Sequence, residues 1–427
     1  MSMATLDYEG YVRLQDHWLE LPGGFPLPHD FDRDEYQLRI DTARRYMATE
    51  GLDALVITSG LIGQWFTSAA APHEWHDRCQ SRSAWYILTP NDDCLLMTPT
   101  TAGEHMNTTR RSTWVSTILP LSERSAWPRA EIWDIDQIPE ILARLGLASG
   151  RMGFELGDCM TVGLSVNDLL RLRELMPRAQ IVDGSKVIRK LMSVHTPLEI
   201  ERLRNACRAG IWMHDQVVDV LRPGMTEKQF LAAMNERFLS RFDEAYTYVP
   251  ATSWDVRNAR TGDSNLFHAG ASDRPFKAGD YLARGNSGVS YRGYSADVDR
   301  GWHVGTPSDE VLRYFAITWE CNQAMAEAVK PGNRCSDIYA ACETVERRYG
   351  MAERRSGRIG HGYRNTGGLS VHPGNHTILE PNMVISVEPM FAIDAGWFDL
   401  EDQYLVTPTG HEILHPVASP DLPIISA

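Results

Sequence analysis

Apolar positions in the first half of the chain alternate between two periods. Residues Asp34–Glu50 carry a helical pattern, and Ala54-Leu55-Val56-Ile57-Thr58 follows as a short uninterrupted apolar run, the signature of a buried strand. Further strands are expected at Trp85–Leu88, Leu95–Thr98, Met152–Glu155 and Ile181–Val182, with helices at Gln137–Leu145 and Val166–Leu175 between them. Such alternation predicts an α/β domain over residues 31–190. Residues 1–30 read as an N-terminal arm, punctuated by Pro22, Gly23, Gly24, Pro26 and Pro28. The basic stretch Gly184–His195 reads as a connection. It runs into Thr196-Pro197-Leu198-Glu199, an N-cap, a first-turn proline and a capping-box glutamate that open a strong helix. A second domain is expected over 191–427.

That second half carries a faint internal repeat. Arg222-Pro223-Gly224 and Lys330-Pro331-Gly332 lie 108 residues apart, and each ends one helix before another begins. Each is followed later by a turn into an apolar strand, at Lys277–Leu282 and at Glu380–Ile385. Two similar halves packed face to face would offer a cleft lined from both sides.

Four segments of this half place acids or a histidine where a core would not hold them. Tyr291–Arg300 reads as a strand, with Asp297 and Asp299 on one face and Arg300 on the other. Gly360-His361-Gly362 sets a histidine between glycines that allow close backbone approach. Met383–Val387 is an apolar strand ending in Glu388-Pro389, and Glu401-Asp402 precedes the β-prone run ending at Val406. Carboxylates with one imidazole form the ligand set for Mn, Fe, Co or Zn ions rather than for a thiolate site.

Composition narrows the setting. The chain has 427 residues, 43% of them hydrophobic, with 42 basic and 56 acidic residues for a net charge of −14. An acidic balance disfavours nucleic acid or an anionic membrane as partner, and no apolar run reaches the ~18–20 residues of a membrane-spanning helix. The N-terminal residues lack the basic start and apolar stretch of a secretory signal, and the seven cysteines are odd in number and scattered. Free core thiols in a reduced, cytoplasmic protein are expected. Twelve tryptophans are many; Trp65, Trp75, Trp85 and Trp254 are candidates either for core packing or for an aromatic surround of a small cationic substrate.

Taken in order, these segments resemble the pita-bread metallohydrolase family, which includes methionine aminopeptidase, aminopeptidase P, prolidase, creatinase, ectoine hydrolase and a DMSP lyase. The resemblance spans about residues 195–415, with an N-terminal domain like that of the creatinase–prolidase branch. It implies a creatinase/prolidase-like α/β domain followed by a pseudo-twofold α+β catalytic domain, assembled as a homodimer. It also implies a metal site on Asp297, His361, Glu388 and Glu401. The family's remaining ligand, an Asp eleven residues before Asp297, falls on Asn286, a neutral amide that is a poor ligand for a hard dication. One ion per chain is the favoured expectation; a second ion rescued by Asp299, and a metal-free site like that of creatinase, are the alternatives. His268 matches the family histidine near the substrate. His372 resembles the second active-site histidine, although it follows His361 by eleven residues rather than seven, and His376 is its rival.

The expected activity is hydrolysis of a C–N bond in a small amino-acid-like molecule, with His268, His372 and Glu388 catalytic. A DMSP-lyase-like enzyme, a metal-free creatinase- or ectoine-hydrolase-like enzyme, and a non-enzymatic binding protein are the alternatives.

Overall fold

Asp32 accepts a hydrogen bond from the Glu35 amide (3.0 Å) and so caps helix α1, Arg33–Thr49. The computed structural model describes residues 31–68, 85–97, 113–120, 135–158, 160–248, 255–258, 263–265, 271–283, 288–351, 358–363, 368–393 and 396–426. The expected arm at 1–30 lies outside them. The chain divides into two compact units, Met1–Leu191 and Met192–Ala427.

The first unit is built on one six-stranded mixed sheet. Its strands are β1 (Ala54–Ile57), β2 (Trp85–Leu88), β3 (Asp93–Met97), β4 (Ile118–Pro120), β5 (Arg151–Phe154) and β6 (Gln180–Asp183), in the order β4-β3-β2-β1-β5-β6. The β1–β5, β5–β6 and β3–β4 pairs are parallel; β1–β2 and β2–β3 are antiparallel. Helices α2 (Gly60–Thr67), α3 (Ile138–Arg144) and α4 (Val166–Leu175) connect them. Val56, Trp85, Ile87, Leu142, Met152, Phe154 and Leu172 form the core on one face of the sheet.

One sequence expectation needs correction here. Gly184–His195 is not an open connection: Ser185–Ser193 forms helix α5, because Val187, Ile188, Leu191 and Met192 fall on one face and are buried while the basic residues between them face out. Trp65 and Trp85 are buried in this unit, in keeping with the core-packing reading. Trp85 packs edge-on against Phe154, and Trp65 lies 4.6 Å from the Arg39 guanidinium carbon. Trp75 and Trp254 lie outside the described residues.

In the second unit the repeat is visible in hydrogen bonds. Helix α6 (Pro197–Val220) opens with the capping box of Thr196 and Glu199 and is followed by α7 (Glu227–Arg241). Helix α8 (Asp309–Ala328) is followed by α9 (Cys335–Arg348). At the first junction Gly224 donates to the Phe276 carbonyl (2.7 Å) and Phe276 donates back to Met225 (2.9 Å). At the second, Gly332 donates to Leu379 (3.0 Å) and Leu379 to Asn333 (2.7 Å). Gly224 and Gly332 have φ of +85° and +88°, which is why glycine stands at both places.

Each helix pair covers its own sheet. The first covers the sheet β20-β13-β10-β8-β9, comprising β8 (Asp255–Asn258), β9 (Asp263–Asn265), β10 (Asp280–Ala283), β13 (Gly301–Val304) and β20 (Ile424–Ile425). The second covers β14-β15-β18-β19: β14 (Gly360–Gly362), β15 (Val384–Val387), β18 (Asp402–Val406) and β19 (His411–Ile413). Phe230, Met234, Leu282 and Trp302 fill the first core; Phe315, Ile338, Ile385 and Tyr404 fill the second.

Tyr291–Arg300 is not one continuous strand. Strand β11 (Val289–Tyr291) turns back through Arg292 and Gly293, at φ +46° and +80°, into β12 (Tyr294–Ser295) and pairs with β7 (Tyr246–Tyr248). Positive φ at both central residues is the geometry of a tight two-residue hairpin. The chain then runs on to a single bridge at Asp299 before β13.

Candidate metal centre

The antiparallel register of β14, β15 and β18 brings three of the expected residues together. His361 stands across from Ser386, and Ser386 from Gln403; Val387 stands across from Gly360 on one side and Asp402 on the other. One further step sets Glu388 between residues 359 and 401, and the Glu388 amide donates to the Ile359 carbonyl (3.0 Å). Gly360 makes this approach feasible. A Cβ there would lie 2.4 Å from the Ser386 carbonyl oxygen, and its φ of +152° disfavours any side chain.

Asp299 is tied to the other edge of the same row. Its amide donates to the Glu401 carbonyl and the Glu401 amide to the Asp299 carbonyl, both at 3.2 Å. Asp297, two residues earlier, donates its amide to Gln403 Oε1 (3.1 Å). Asp297, His361 and Glu401 then offer one ligand atom each within 4.8 Å of one another, and so do Asp299, Glu388 and Glu401.

His361 Nε2 lies 3.3 Å from Asp297 Oδ2 and 3.5 Å from Glu401 Oε1, while its Nδ1 donates to the Gly362 carbonyl (2.9 Å). A carbonyl can only accept, so Nδ1 carries a proton and Nε2 is the ring nitrogen that faces the two carboxylates. That is the orientation of a metal-ligating histidine. Asp299, Glu388 and Glu401 are 3%, 5% and 2% exposed, and Glu401 Oε1 accepts no hydrogen bond. Burial, reinforced by the charges of Asp297, Glu388, Asp299 and Asp399, holds the Glu401 carboxyl well above the usual range. Converging acids with an imidazole Nε2 turned toward them fit a divalent cation.

Behind the cluster stands a layer that sequence reasoning passed over. Arg300 was expected only to point away from the acids. It does so, and its Nη1 donates to the carbonyls of Asp299 (2.8 Å) and Glu401 (2.9 Å) while Nη2 meets Asp402 Oδ1 at 2.8 Å. Gln403 Oε1 accepts from Asp297 and from the buried Cys207 thiol (2.9 Å). The neighbouring His415 accepts from the Gln403 amide through Nε2 and donates from Nδ1 to Pro416, and burial lowers its pKa. The adjacent acid pair Glu401-Asp402 and the arginine directly after Asp299 were the available sequence signals.

Not every expected residue joins the cluster. His372 and its rival His376 stand outside both groups and are exposed. His372 Nδ1 accepts from the Gly374 amide (3.1 Å), and His376 Nδ1 lies 3.4 Å from Ser336 Oγ. Asn375 folds this segment onto itself by bonding the Gly368 and Ser370 carbonyls, both at 2.8 Å, and that local turn leaves the two rings in solvent. His268 and Asn286 lie outside the described residues. Cys94, Cys207, Cys321, Cys335 and Cys342 are free and buried, as core thiols are expected to be; Cys79 and Cys159 are not described.

The pattern of metallopeptidase family M24 matches residues 201–408, and that of the creatinase/prolidase N-terminal domain matches residues 39–194. The chain carries an M24 metallopeptidase domain behind a creatinase/prolidase N-terminal domain. Among curated relatives, the creatinase of a Bacillus species (strain B-0618) is 24% identical over 381 residues, covering 88% of this chain and 87% of that protein. The ectoine hydrolase of Halomonas elongata is 25% identical over 407 residues, covering 90% and 96%. Among solved structures, dipeptidase PepE from Mycobacterium ulcerans superposes with a TM-score of 0.73 at 24% identity, over 93% of this chain and 100% of that one. The M24 fold expected from the motifs, an α/β domain before a pseudo-twofold α+β domain, is the one observed. No helix among the described residues is long and apolar enough to cross a membrane.

Proposed function

We propose that this M24 chain is a metal-dependent hydrolase that cleaves a C–N bond in a small amino-acid-like substrate. The observation that supports it best is the convergence of Asp297, His361 and Glu401, with Glu388 grouped beside Glu401 and His361 Nε2 turned toward the acids. These four residues are the ones that would hold a divalent ion. Such an ion, when bound, polarises a carbonyl or amidine carbon and makes water nucleophilic near neutral pH.

The chain's own groups supply the rest. Glu388, at the end of β15 before Pro389, takes a proton from the attacking water and delivers it to the leaving nitrogen. His268 orients the substrate and shares in that proton transfer, as its match to the family histidine suggests. His372 has no part in this reading, because its ring is exposed. Asn286, a neutral amide where the family's peptidases carry an aspartate, disfavours peptides as the main substrate. The same reading takes the protein as a cytoplasmic homodimer, which light scattering behind a sizing column tests.

The deciding experiment combines a substrate screen with chelation. Small amidines, cyclic amidines, N-acyl amino acids and Xaa-Pro dipeptides are assayed before and after exhaustive EDTA treatment. Activity on one of the small substrates should disappear on chelation and return with Mn²⁺ or Co²⁺. Glu388→Gln should lower both metal affinity and turnover, since a neutral amide ligates weakly and takes up no proton. Full activity of the chelated enzyme would defeat the metal mechanism.

A further inference from the structure

Helix α6 carries an unusual stripe. Ile211, His214, Asp215 and Val218 fall at helical spacing on one face, and that face lines a cavity of about 250 Å³ together with the C-terminal segment 416–423. The floor includes Arg300, Trp302 and Leu400, so the cavity lies behind the acidic cluster, on the side from which Arg300 supports it. Drug-sized sites run to about 300–1,000 Å³, so this volume is that of a small ligand.

The C-terminal wall is firm. Pro416, Pro420 and Pro423 each fix their own φ. The far end is held where the His303 amide donates to the Pro423 carbonyl (3.0 Å) and β20 pairs with β13. The near end is held where His415 Nδ1 donates to the Pro416 carbonyl (2.9 Å). A wall already in place costs little ordering when a ligand enters.

The lining also has a definite charge. A helix stripe that faces its neighbours is normally apolar, yet Asp215 stands in the middle of this one, and Asp421 lines the cavity from the C-terminal segment. Neither carboxylate forms an ion pair with another residue of the described chain. Arg300 is the only lysine or arginine on the lining, and it is already engaged by Asp402 and by the carbonyls of Asp299 and Glu401. Deeper in, the surface is apolar and aromatic: Trp302 and Phe315 are buried, and Trp302 packs edge-on against His214 with ring centroids 5.4 Å apart.

We propose that this cavity is a second binding site, separate from the metal centre, for a small organic cation: an ammonium group on an apolar or aryl body. The ammonium meets Asp215 and Asp421, which are exposed at the mouth, and the body rests on Ile211, Trp302 and Phe315. Burial raises the Asp215 carboxyl above its ordinary value, and the Arg300 charge offsets part of that. A cation at the mouth offsets more. Nothing in the site depends on a bound metal.

The test is calorimetric titration of the intact chain with benzylammonium, with neutral benzyl alcohol as the control. The wild type should show one saturable site with a Kd on the order of 1 mM, the scale of a fragment, and benzyl alcohol should bind at least about tenfold more weakly. Replacing both acids, as Asp215→Asn with Asp421→Asn, should weaken benzylammonium by about tenfold or more. Val218→Trp should abolish binding by filling the mouth, and melting temperatures check that these variants fold. Glu388→Gln should leave the affinity unchanged. Absence of a saturable site overturns the proposal, and so does binding that survives both the double replacement and Val218→Trp. Loss of binding in Glu388→Gln places benzylammonium at the acidic cluster and overturns it as well. Mn²⁺ titration reads that cluster separately, so each of these failures leaves the metal reading standing.

Discussion

Arg300 and Asp402 face each other at 2.8 Å directly behind the acidic cluster, and the same guanidinium binds the carbonyls of Asp299 and Glu401. One side chain thus fixes the backbone of two candidate ligands while balancing a carboxylate that is fully buried. Breaking a buried pair by removing one partner strands the other's charge and costs about 3–5 kcal/mol. Arg300→Gln should therefore lower the melting temperature by several degrees and weaken Mn²⁺ binding. Calorimetry and metal titration of the variant check this; unchanged values of both would reduce the pair to surface decoration.

His372 offers a contrast. Its ring is exposed and bonded only within its own turn among the contacts seen. His372→Ala should leave kcat/KM within roughly a factor of three, against the 10²–10⁴-fold loss expected of a general acid or base. Steady-state kinetics on the substrate found in the screen decides between them.

Gly360 admits no side chain. Gly360→Ala sets a methyl 2.4 Å from the Ser386 carbonyl oxygen in a backbone conformation that alanine avoids. The expected result is a loss of stability of about 1–3 kcal/mol from strain of this type, with weaker metal binding because β14 must shift away from β15. Denaturant unfolding and Mn²⁺ titration measure the two effects.

Alkaline pH should destabilise the fold. Burial pushes the Cys94 and Cys335 thiols and the Tyr248 phenol up to about 12. A raised folded pKa favours the neutral form, so this contribution is fully present below the unfolded values near 9–10 and is lost as pH rises through the folded ones. Melting temperatures should hold steady from pH 7 to about 9 and fall progressively above it. Replacing Cys335 with alanine should shallow that alkaline slope, and a slope unaltered by the replacement would remove this thiol from the account.

Local chemistry in the chain was enough to mark most of the elements and the residue types of the candidate site. The box at Thr196 and Glu199, the apolar run at 54–57 and the paired Pro-Gly stops at 223–224 and 331–332 all act over a few residues, and all appear as expected. The glycines around His361 likewise announced a close approach that Gly360 makes with Ser386. Tertiary structure alone decided what depends on register between segments about a hundred residues apart. The row of Asp299, Glu401 and Glu388 and the clasp of Arg300 on Asp402 follow from which strand lies beside which. The helix at 185–193 shows the same limit on a smaller scale. Its basic residues dominate the local composition, but Val187, Ile188, Leu191 and Met192 form an apolar face whose burial depends on the packing around it. Residue spacing sets what a segment can present; the free energy of burying it against a distant partner selects where it is presented.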